Sequence, residues 1–197
     1  MKILKYFFQF LFTYSFFIIC RMIGYKNSSN FGAFVSKLVG PYIRSKKIIN
    51  NNLNKAFPNL DEKGLKKFNQ SIWKNYGRIL ADYSFIKDFK NSKLDEFINI
   101  EGDEILSNIK KSGKPVIFIS GHFNNFELLA LIIEKSGVNL SAVYRPLNNI
   151  FLNKIMVNLR KNYICKNQIP KGMPGMKLLL NFLKQGSSIA LMIDQRV

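Results

Sequence analysis

The sequence has few of the residues that bind metals or form disulfides. It contains one histidine and two cysteines, Cys20 and Cys165, among 197 residues. One histidine with two distant cysteines does not form a usual zinc site, and a single disulfide could not stabilise a fold of this size. These counts exclude a disulfide scaffold and give no support for a zinc protein.

Acidic residues are also scarce, which leaves a large positive charge. Lys and Arg number 30 against 12 Asp and Glu, so the formal net charge is +18. Apolar residues make up 47% of the chain, which excludes an intrinsically disordered protein and is enough for one packed core. A charge of this size attracts anionic lipid, nucleic acid or an acidic carrier protein.

Only one long hydrophobic run is present, so a multi-pass membrane protein is not favoured. Residues 3–20 form a helix of roughly 27 Å at about 1.5 Å per residue, close to the ~30 Å hydrocarbon thickness of a bilayer. Ile18 and Ile19 precede Cys20, whereas a signal-peptide cleavage site needs small residues. We therefore expect residues 1–25 to be a membrane anchor that crosses the bilayer or lies steeply in one leaflet. By the positive-inside tendency, the basic remainder is expected to stay in the cytoplasm.

Strand and helix patterns alternate from residue 97 onward. Strands are predicted over 97–100, 115–120, 140–144 and 187–197, and helices over 103–111, 125–135, 151–161 and 175–184. A long helix over 61–87, with Asp61 at its start, precedes them, and a short helix ends before Pro58. The alternation predicts an α/β fold with a helix-flanked, largely parallel or mixed sheet.

We expect residues 26–197 to form one catalytic domain. The run at 115–120 is continuously apolar, as in a strand covered on both faces. The sequence stops on a second apolar strand pattern, where a sheet usually continues through a turn or a crossover helix. The chain is therefore expected to be a fragment that is incomplete at its C-terminus.

The single histidine, His122, lies directly after a predicted strand and before a predicted helix, where open α/β sheets bind ligands. Gly121 before it allows a sharp turn and a close approach of substrate. Glu127 follows five positions later, about 140° away on a regular helix, so the two side chains meet only if His122 lies in the turn. A carboxylate on one imidazole nitrogen would leave the other to take a proton from a hydroxyl, with helix N–H groups to stabilise an oxyanion.

The same segment also has an ordinary structural interpretation. Asn124 followed three residues later by Glu127 is a capping box, and His122 is then a loop histidine. The G-x-x-G at 172–175 formally matches the KH-domain loop, but Pro170 and Pro174 fit poorly with the helix–loop–helix that this loop needs.

The segment from Gly121 to Glu127 resembles the H-x-x-x-x-D/E motif of glycerolipid acyltransferases. More specifically, the chain resembles the bacterial lipid A biosynthesis acyltransferases, the lauroyl/myristoyl group, whose motif ends in Glu. Besides the apolar N-terminus, three segments agree in order with N-L-x-x-x-F-P, Y-R-P-x-x-N and a strand ending in D-Q or D-H: 51–58, 143–149 and 186–195. Family members continue further, which agrees with a truncated chain.

The resemblance implies an acyltransferase of lipopolysaccharide biosynthesis at the cytoplasmic face of the inner membrane. It would move a fatty acyl chain from acyl-carrier protein, or from coenzyme A, to a hydroxyl of an anionic lipid A precursor. His122 would be the general base and Glu127 its partner, with no metal or other cofactor. The residues implied to bind substrate are Gly121, Arg145, Asn148 and Asp194, of which Arg145 would contact phosphate.

Other functions remain open on the sequence alone. The acceptor could be a lysophospholipid, glycerol phosphate or a glycolipid, and Glu127, where the glycerophosphate branch has Asp, is the only residue that favours lipid A. Arg145 could equally form a surface ion pair, and Asp194 could cap a loop. A basic, membrane-tethered nucleic-acid-binding protein is a third possibility, although clusters such as 44–47 and 63–67 are more often solvated helix faces.

Overall fold

The computed structural model describes residues 2–194, and within them the chain divides into two compact units. One unit comprises the residues up to Leu11 together with those from Ile86 onward, and the other comprises Phe12–Phe85. The boundary predicted between residues 25 and 26 separates a membrane anchor from a catalytic domain, whereas these two units are defined by their internal contacts. The boundary therefore stays a prediction.

Helices and strands follow one another largely as the sequence patterns indicate. The helices are α1 Lys2–Ile23, α2 Tyr25–Ile43, α3 Lys46–Ala56, α4 Glu62–Asp82, α5 Ile86–Lys90, α6 Asp103–Ser112, α7 Phe126–Lys135, α8 Ile150–Leu159 and α9 Met173–Lys184. The strands are β1 Ile117–Ser120, β2 Leu140–Tyr144, β3 Asn167–Pro170 and β4 Ser188–Met192. Short 3-10 turns occupy Tyr83–Phe85 and Asp95–Phe97, and a π-helical turn covers Arg160–Ile164.

The four strands form one parallel sheet in the order β1-β4-β2-β3. Ser120 pairs with Met192, Leu140 with Ser188, and Tyr144 with Pro170. The α/β fold is therefore confirmed. Because every neighbour is parallel, the carboxyl ends of all four strands meet at one edge of the sheet.

Three details of the predicted sheet are wrong. Residues 98–100 follow a 3-10 turn and form no strand, whereas the sequence pattern gave no strand at β3. The run at 115–120 is not covered on both faces by the described residues, since Ile117 and Ile119 are exposed. Strand β1 lies at the edge of the described sheet, so a continuously apolar run there does not indicate a central strand.

The Phe12–Phe85 unit is built on close packing of α2 against α4. A Cβ atom on Gly77 would lie 2.0 Å from the carbonyl oxygen of Gly32, and one on Gly40 would lie 2.1 Å from the ring of Trp73. Cβ atoms at these distances would clash, so α2 and α4 can approach this closely only because these residues are glycines. Asp61 begins α4 as predicted, and its carboxylate accepts a hydrogen bond from Gly64 N at 2.7 Å.

In the unit that holds the sheet, the first turns of α1 pack against the start of α8. Asn149 caps α8 by accepting hydrogen bonds from Phe151 N and Leu152 N, and its amide donates to the carbonyl oxygen of Tyr6 at 2.9 Å. The ring of Phe7 meets that of Phe151 edge-on at 5.9 Å.

Helix α1 is long and apolar enough to cross a membrane. Its best 18-residue window has a mean hydropathy of 1.6, and 17% of that window is buried. Signal sequences and core helices share this length and composition, so the anchor stays a prediction.

Candidate active site

The sheet brings His122 and Asp194 together. His122 follows β1 by two residues and Asp194 follows β4 by two residues, and these strands are neighbours. Residues that are 72 positions apart in the sequence thus meet at the carboxyl edge of the sheet.

The carboxylate of Asp194 contacts His122 through both of its oxygens. Oδ1 lies 2.8 Å from the imidazole Nδ1, and Oδ2 accepts a hydrogen bond from the His122 backbone N–H at 2.9 Å. These bonds, first from the backbone N–H and then from the imidazole, hold the pKa of the Asp194 carboxyl below its ordinary value. An ionised Asp194 favours the tautomer with the proton on Nδ1, so that Nε2 carries a lone pair.

The turn between β1 and α7 gives this contact its geometry. A Cβ atom on Gly121 would lie 2.8 Å from the Phe123 ring and 3.3 Å from the Asp194 carboxyl carbon, so glycine gives the carboxylate room to approach. Asn124 has φ 46°, a left-handed conformation in which asparagine is more often found than most residues.

The capping-box interpretation of this segment is not what the structure shows. Helix α7 begins at Phe126, with Asn125 rather than Asn124 at the N-cap position, and no side-chain cap hydrogen bond forms there. The carboxylate of Glu127 accepts hydrogen bonds from Arg160. The ring of Phe126 instead packs edge-on against the His122 imidazole, with 4.8 Å between centroids.

Glu127 is paired with Arg160, a residue that the sequence patterns did not single out. The Glu127 side chain is only 7% exposed, and its Oε1 accepts hydrogen bonds from Nε of Arg160 at 2.8 Å and from Nη2. Arg160 begins the π-helical turn, and its guanidinium lies 5.7 Å from the ring centroid of Tyr144. Asp194 therefore occupies the imidazole nitrogen that Glu127 was expected to contact, and the catalytic role of Glu127 stays a prediction.

A cavity of about 540 Å³ opens beside the histidine. His122, Glu127 and Arg160 form part of its wall. Most of the remaining wall is apolar and includes Ala130, Val143, Ile164, Ile169, Leu179 and Leu191. Its size and lining are typical of pockets that bind a small molecule or one hydrocarbon chain with a few polar groups at one end.

Only some of the residues that were expected to bind substrate lie at the cavity or beside His122. Arg145 lies in the cavity wall, and Gly121 and Asp194 lie in the turns around His122. Asn148 is exposed and is not part of the wall, whereas its neighbour Asn149 is buried as the cap of α8. The binding roles remain predictions.

Two charged residues of the cavity were missed as site residues, Arg160 and Lys171. Lys171 follows β3, a strand that the sequence pattern did not reveal, and Arg160 lies in the last turns of a predicted helix. A search for cations after each predicted strand would have missed Lys171, because β3 was not predicted, and no sequence signal marks Arg160.

Across residues 2–194, no group of three or more His, Cys, Asp or Glu side chains could hold a metal ion. The site brings together an imidazole, two carboxylates and several cations around an apolar cavity. This set is suited to moving a proton and to binding a ligand that is partly apolar and partly anionic.

Comparison with known proteins identifies the family of the chain. No curated protein matches the chain. A family model described as "Bacterial lipid A biosynthesis acyltransferase" matches residues 1–197, which is the full sequence. The chain therefore belongs to the bacterial lipid A biosynthesis acyltransferase family and is an acyltransferase of lipid A synthesis.

Proposed function

We propose that the protein transfers a fatty acyl chain from a thioester on acyl-carrier protein to a hydroxyl group of a lipid A precursor, with His122 as general base. The observation that carries this proposal is the carboxylate of Asp194 on Nδ1 of His122, beside an apolar cavity. That contact leaves Nε2 as the nitrogen available to a substrate hydroxyl.

In the first half of the reaction, Nε2 of His122 accepts the proton of the acceptor hydroxyl. The hydroxyl oxygen attacks the thioester carbonyl carbon, and the carbonyl electrons move to oxygen to give a tetrahedral intermediate. The imidazolium formed in this step is stabilised by the ionised Asp194 carboxylate at 2.8 Å.

In the second half, the carbonyl re-forms and the carbon–sulfur bond breaks. The imidazolium returns its proton to the departing thiolate, which restores neutral His122 and gives a free thiol and an ester. The N-terminus of α7, which begins four residues after His122, carries the positive end of the helix dipole and would stabilise the oxyanion.

The cavity suits the hydrocarbon part of a substrate. Its apolar wall lies beside His122, so a chain in the cavity would present its thioester, or its hydroxyl, near Nε2. The buried pair of Glu127 and Arg160 lies in the same wall, where it holds the start of α7 against the π-helical turn. We propose that this pair fixes the position of the segment from Gly121 to Glu127 relative to the cavity.

Members of this family are typically membrane-associated. We propose that the site works at the cytoplasmic face of the inner membrane, with α1 as the anchor. The length and hydropathy of α1 support the anchor, and the net charge of +18 would attract both an acidic carrier protein and a phosphorylated lipid.

Other acceptors and donors remain candidates in the same experiment. Lysophospholipid, glycerol phosphate and glycolipid acceptors use the same hydroxyl chemistry, and acyl-coenzyme A offers the same thioester. Membership of an acyltransferase family does not favour the alternative of a nucleic-acid-binding protein.

The test uses the chain in membranes with competing substrates. Acyl-carrier-protein and coenzyme A thioesters are supplied as donors, with a lipid A precursor and a lysophospholipid as acceptors, and products are identified by mass spectrometry. His122→Ala is assayed in parallel and is expected to retain its fold and to lose turnover by at least about 10²-fold.

Acylated lipid A precursor that depends on His122 would support the proposal. Product on the lysophospholipid alone would assign the enzyme to another acceptor. Unchanged turnover in His122→Ala would refute the general-base role.

A further inference from the structure

Helix α1 has two different sides along its whole length. On one side, apolar residues at helical spacing are exposed from the first turn to the last: Leu4, Phe8, Leu11, Ile18 and Met22. The other side is packed on protein, and Phe16 and Cys20 are buried there. A single helix that crosses a bilayer is surrounded by lipid, so these two sides are not typical of one.

The first turns of α1 are packed in the unit that holds the sheet. The ring of Phe10 lies 5.9 Å from that of Phe151, and the carbonyl oxygen of Tyr6 accepts a hydrogen bond from Asn149 at 2.9 Å. Residues 145–149, directly before α8, form neither helix nor strand. If α1 spanned a bilayer, this irregular segment would enter the hydrocarbon with it, where backbone N–H and C=O groups find no water to bond.

The last turns of α1 are packed against α2, which belongs to the same unit. The ring of Phe16 stacks on that of Phe31 with 5.7 Å between centroids, and the hydroxyl of Ser28 donates to the carbonyl oxygen of Cys20 at 2.6 Å. Helix α2 therefore runs back along α1. It also packs on α4, which contains five Lys or Arg residues. A spanning α1 would carry both helices toward the hydrocarbon, where charged side chains are costly.

The charge of the N-terminal helices is complementary to an anionic lipid surface. Residues 1–60 contain nine Lys or Arg and no Asp or Glu. Arg44, Lys46 and Lys47 are exposed directly after α2. An apolar helix face with a basic cluster beside it is typical of proteins that lie on an anionic leaflet. Helix α2 adds three exposed apolar residues, each four positions after the last: Phe34, Leu38 and Tyr42.

We infer that α1 does not cross the membrane but lies along one leaflet, with its exposed apolar side in the lipid. The partner is the surface of a bilayer that contains anionic lipid, whose phosphates the basic residues contact. Both ends of α1 are then on the same side of the membrane as the sheet-bearing unit. The inference rests on the proposed membrane attachment and not on the proposed acyl transfer.

The first experiment locates three exposed positions relative to the membrane. Lys2→Cys marks the start of α1, Arg44→Cys marks the end of α2, and Lys184→Cys marks the sheet-bearing unit. The native Cys20 and Cys165 are buried, so the unmodified chain gives the background. A membrane-impermeant maleimide is applied to bacterial spheroplasts and to inside-out membrane vesicles that contain each chain.

We expect all three introduced cysteines to be labelled in the same preparation and protected in the other. If α1 spans the bilayer, the cysteine at its start is labelled in the preparation that protects the other two. That result would overturn the inference, whichever side of the membrane the sheet-bearing unit occupies.

The second experiment measures binding of the purified chain to phosphatidylcholine vesicles with and without phosphatidylglycerol. Phe8→Glu and Ile18→Glu place a carboxylate on the exposed side of α1, and Ile105→Glu makes the same change at an exposed apolar residue of α6. Binding is expected to be tighter with phosphatidylglycerol and to weaken with added salt. The two α1 variants are expected to lose about 10-fold or more in affinity, and Ile105→Glu is not.

Two results would overturn the lipid contact. One is equal binding by the α1 variants and Ile105→Glu. The other is a chain that binds no vesicles and forms a dimer that Phe8→Glu dissociates, since a second copy would then cover this side of α1. Circular dichroism identifies any variant that fails to fold, and the cysteine variants, which put no charge on α1, still test the inference. Neither experiment uses acyl transfer, so a failure of the proposed function is detected separately by the acyltransferase assay.

Discussion

Asp194 holds His122 at two points, one on the side chain and one on the backbone. Oδ1 lies 2.8 Å from the imidazole Nδ1 and Oδ2 accepts the backbone N–H at 2.9 Å. A contact at one atom would orient the ring, whereas a contact at two atoms also fixes the turn that carries the ring. The pair therefore links the chemistry of the base to the geometry of the β1–α7 turn.

Replacing Asp194 by Asn tests the tautomer that the pair imposes. The amide NH₂ of Asn would face Nδ1 as a donor, which places the ring proton on Nε2 and removes the lone pair that the acceptor hydroxyl needs. We expect kcat of Asp194→Asn to fall by about 10²-fold or more, with KM little changed.

Asp95→Asn is the matched control for this measurement. Asp95 bonds Lys135 at 2.7 Å, and its variant loses the same charge from a different part of the sheet-bearing unit. Near-normal kcat in Asp194→Asn, or an equal loss in Asp95→Asn, would contradict the positioning role.

The same contact makes stability depend on pH in a defined direction. Hydrogen bonds from His122 hold the pKa of Asp194 below its ordinary value, so the folded state favours the ionised form. The stabilisation is complete above the unfolded pKa of about 3.9 and is lost as pH falls from there through the lowered folded pKa. The difference in unfolding free energy between the unmodified chain and Asp194→Asn should therefore shrink as the pH falls below about 4. Urea unfolding in detergent from about pH 5 downward measures it, and a difference that grows below about pH 4 would refute the linkage.

The buried pair of Glu127 and Arg160 predicts a strong asymmetry between single and double variants. Arg160→Met leaves the Glu127 carboxylate buried without its cation, and we expect it to lower the unfolding free energy by about 3–5 kcal/mol. In Arg160→Met combined with Glu127→Leu no buried charge remains, and most of the stability is expected to return.

The measurement is denaturant unfolding of the two single variants and the double variant in detergent. Costs that simply add in the double variant would show that the two side chains do not act as a buried pair. Activity is not the readout here, because Glu127 is also a predicted catalytic residue.

The sequence predicted the alternation of strands and helices but not the order of the strands. Apolar runs and glycines mark β1, β2 and β4 and the helices between them, because local patterning determines these elements. Strand β3 was missed because Asn167–Pro170 contains one buried apolar residue, Ile169, and takes its place by pairing with β2.

The sequence likewise predicted one residue of the candidate site but not how the site residues pair. His122 was identified because it is the only histidine and directly follows a strand. Its partner Asp194 was placed near the site only through the resemblance, and the pairing itself depends on β4 lying next to β1. Arg160 reaches Glu127 through a π-helical turn, for which the sequence has no marker.

Asn148 and Asn149 are adjacent and chemically identical, so together they separate a structural role from a binding role. Asn149→Ala removes the cap of α8 and the hydrogen bond to Tyr6 O, and we expect the unfolding free energy to fall by about 1–2 kcal/mol. Asn148→Ala alters an exposed side chain, and its unfolding free energy is expected to stay within about 0.5 kcal/mol of that of the unmodified chain.

If Asn148 binds substrate as predicted, its variant raises KM without loss of stability. Denaturant unfolding and steady-state kinetics on both variants decide this. Equal destabilisation of the two variants would contradict the cap, and an unchanged KM in Asn148→Ala would remove that residue from the binding set.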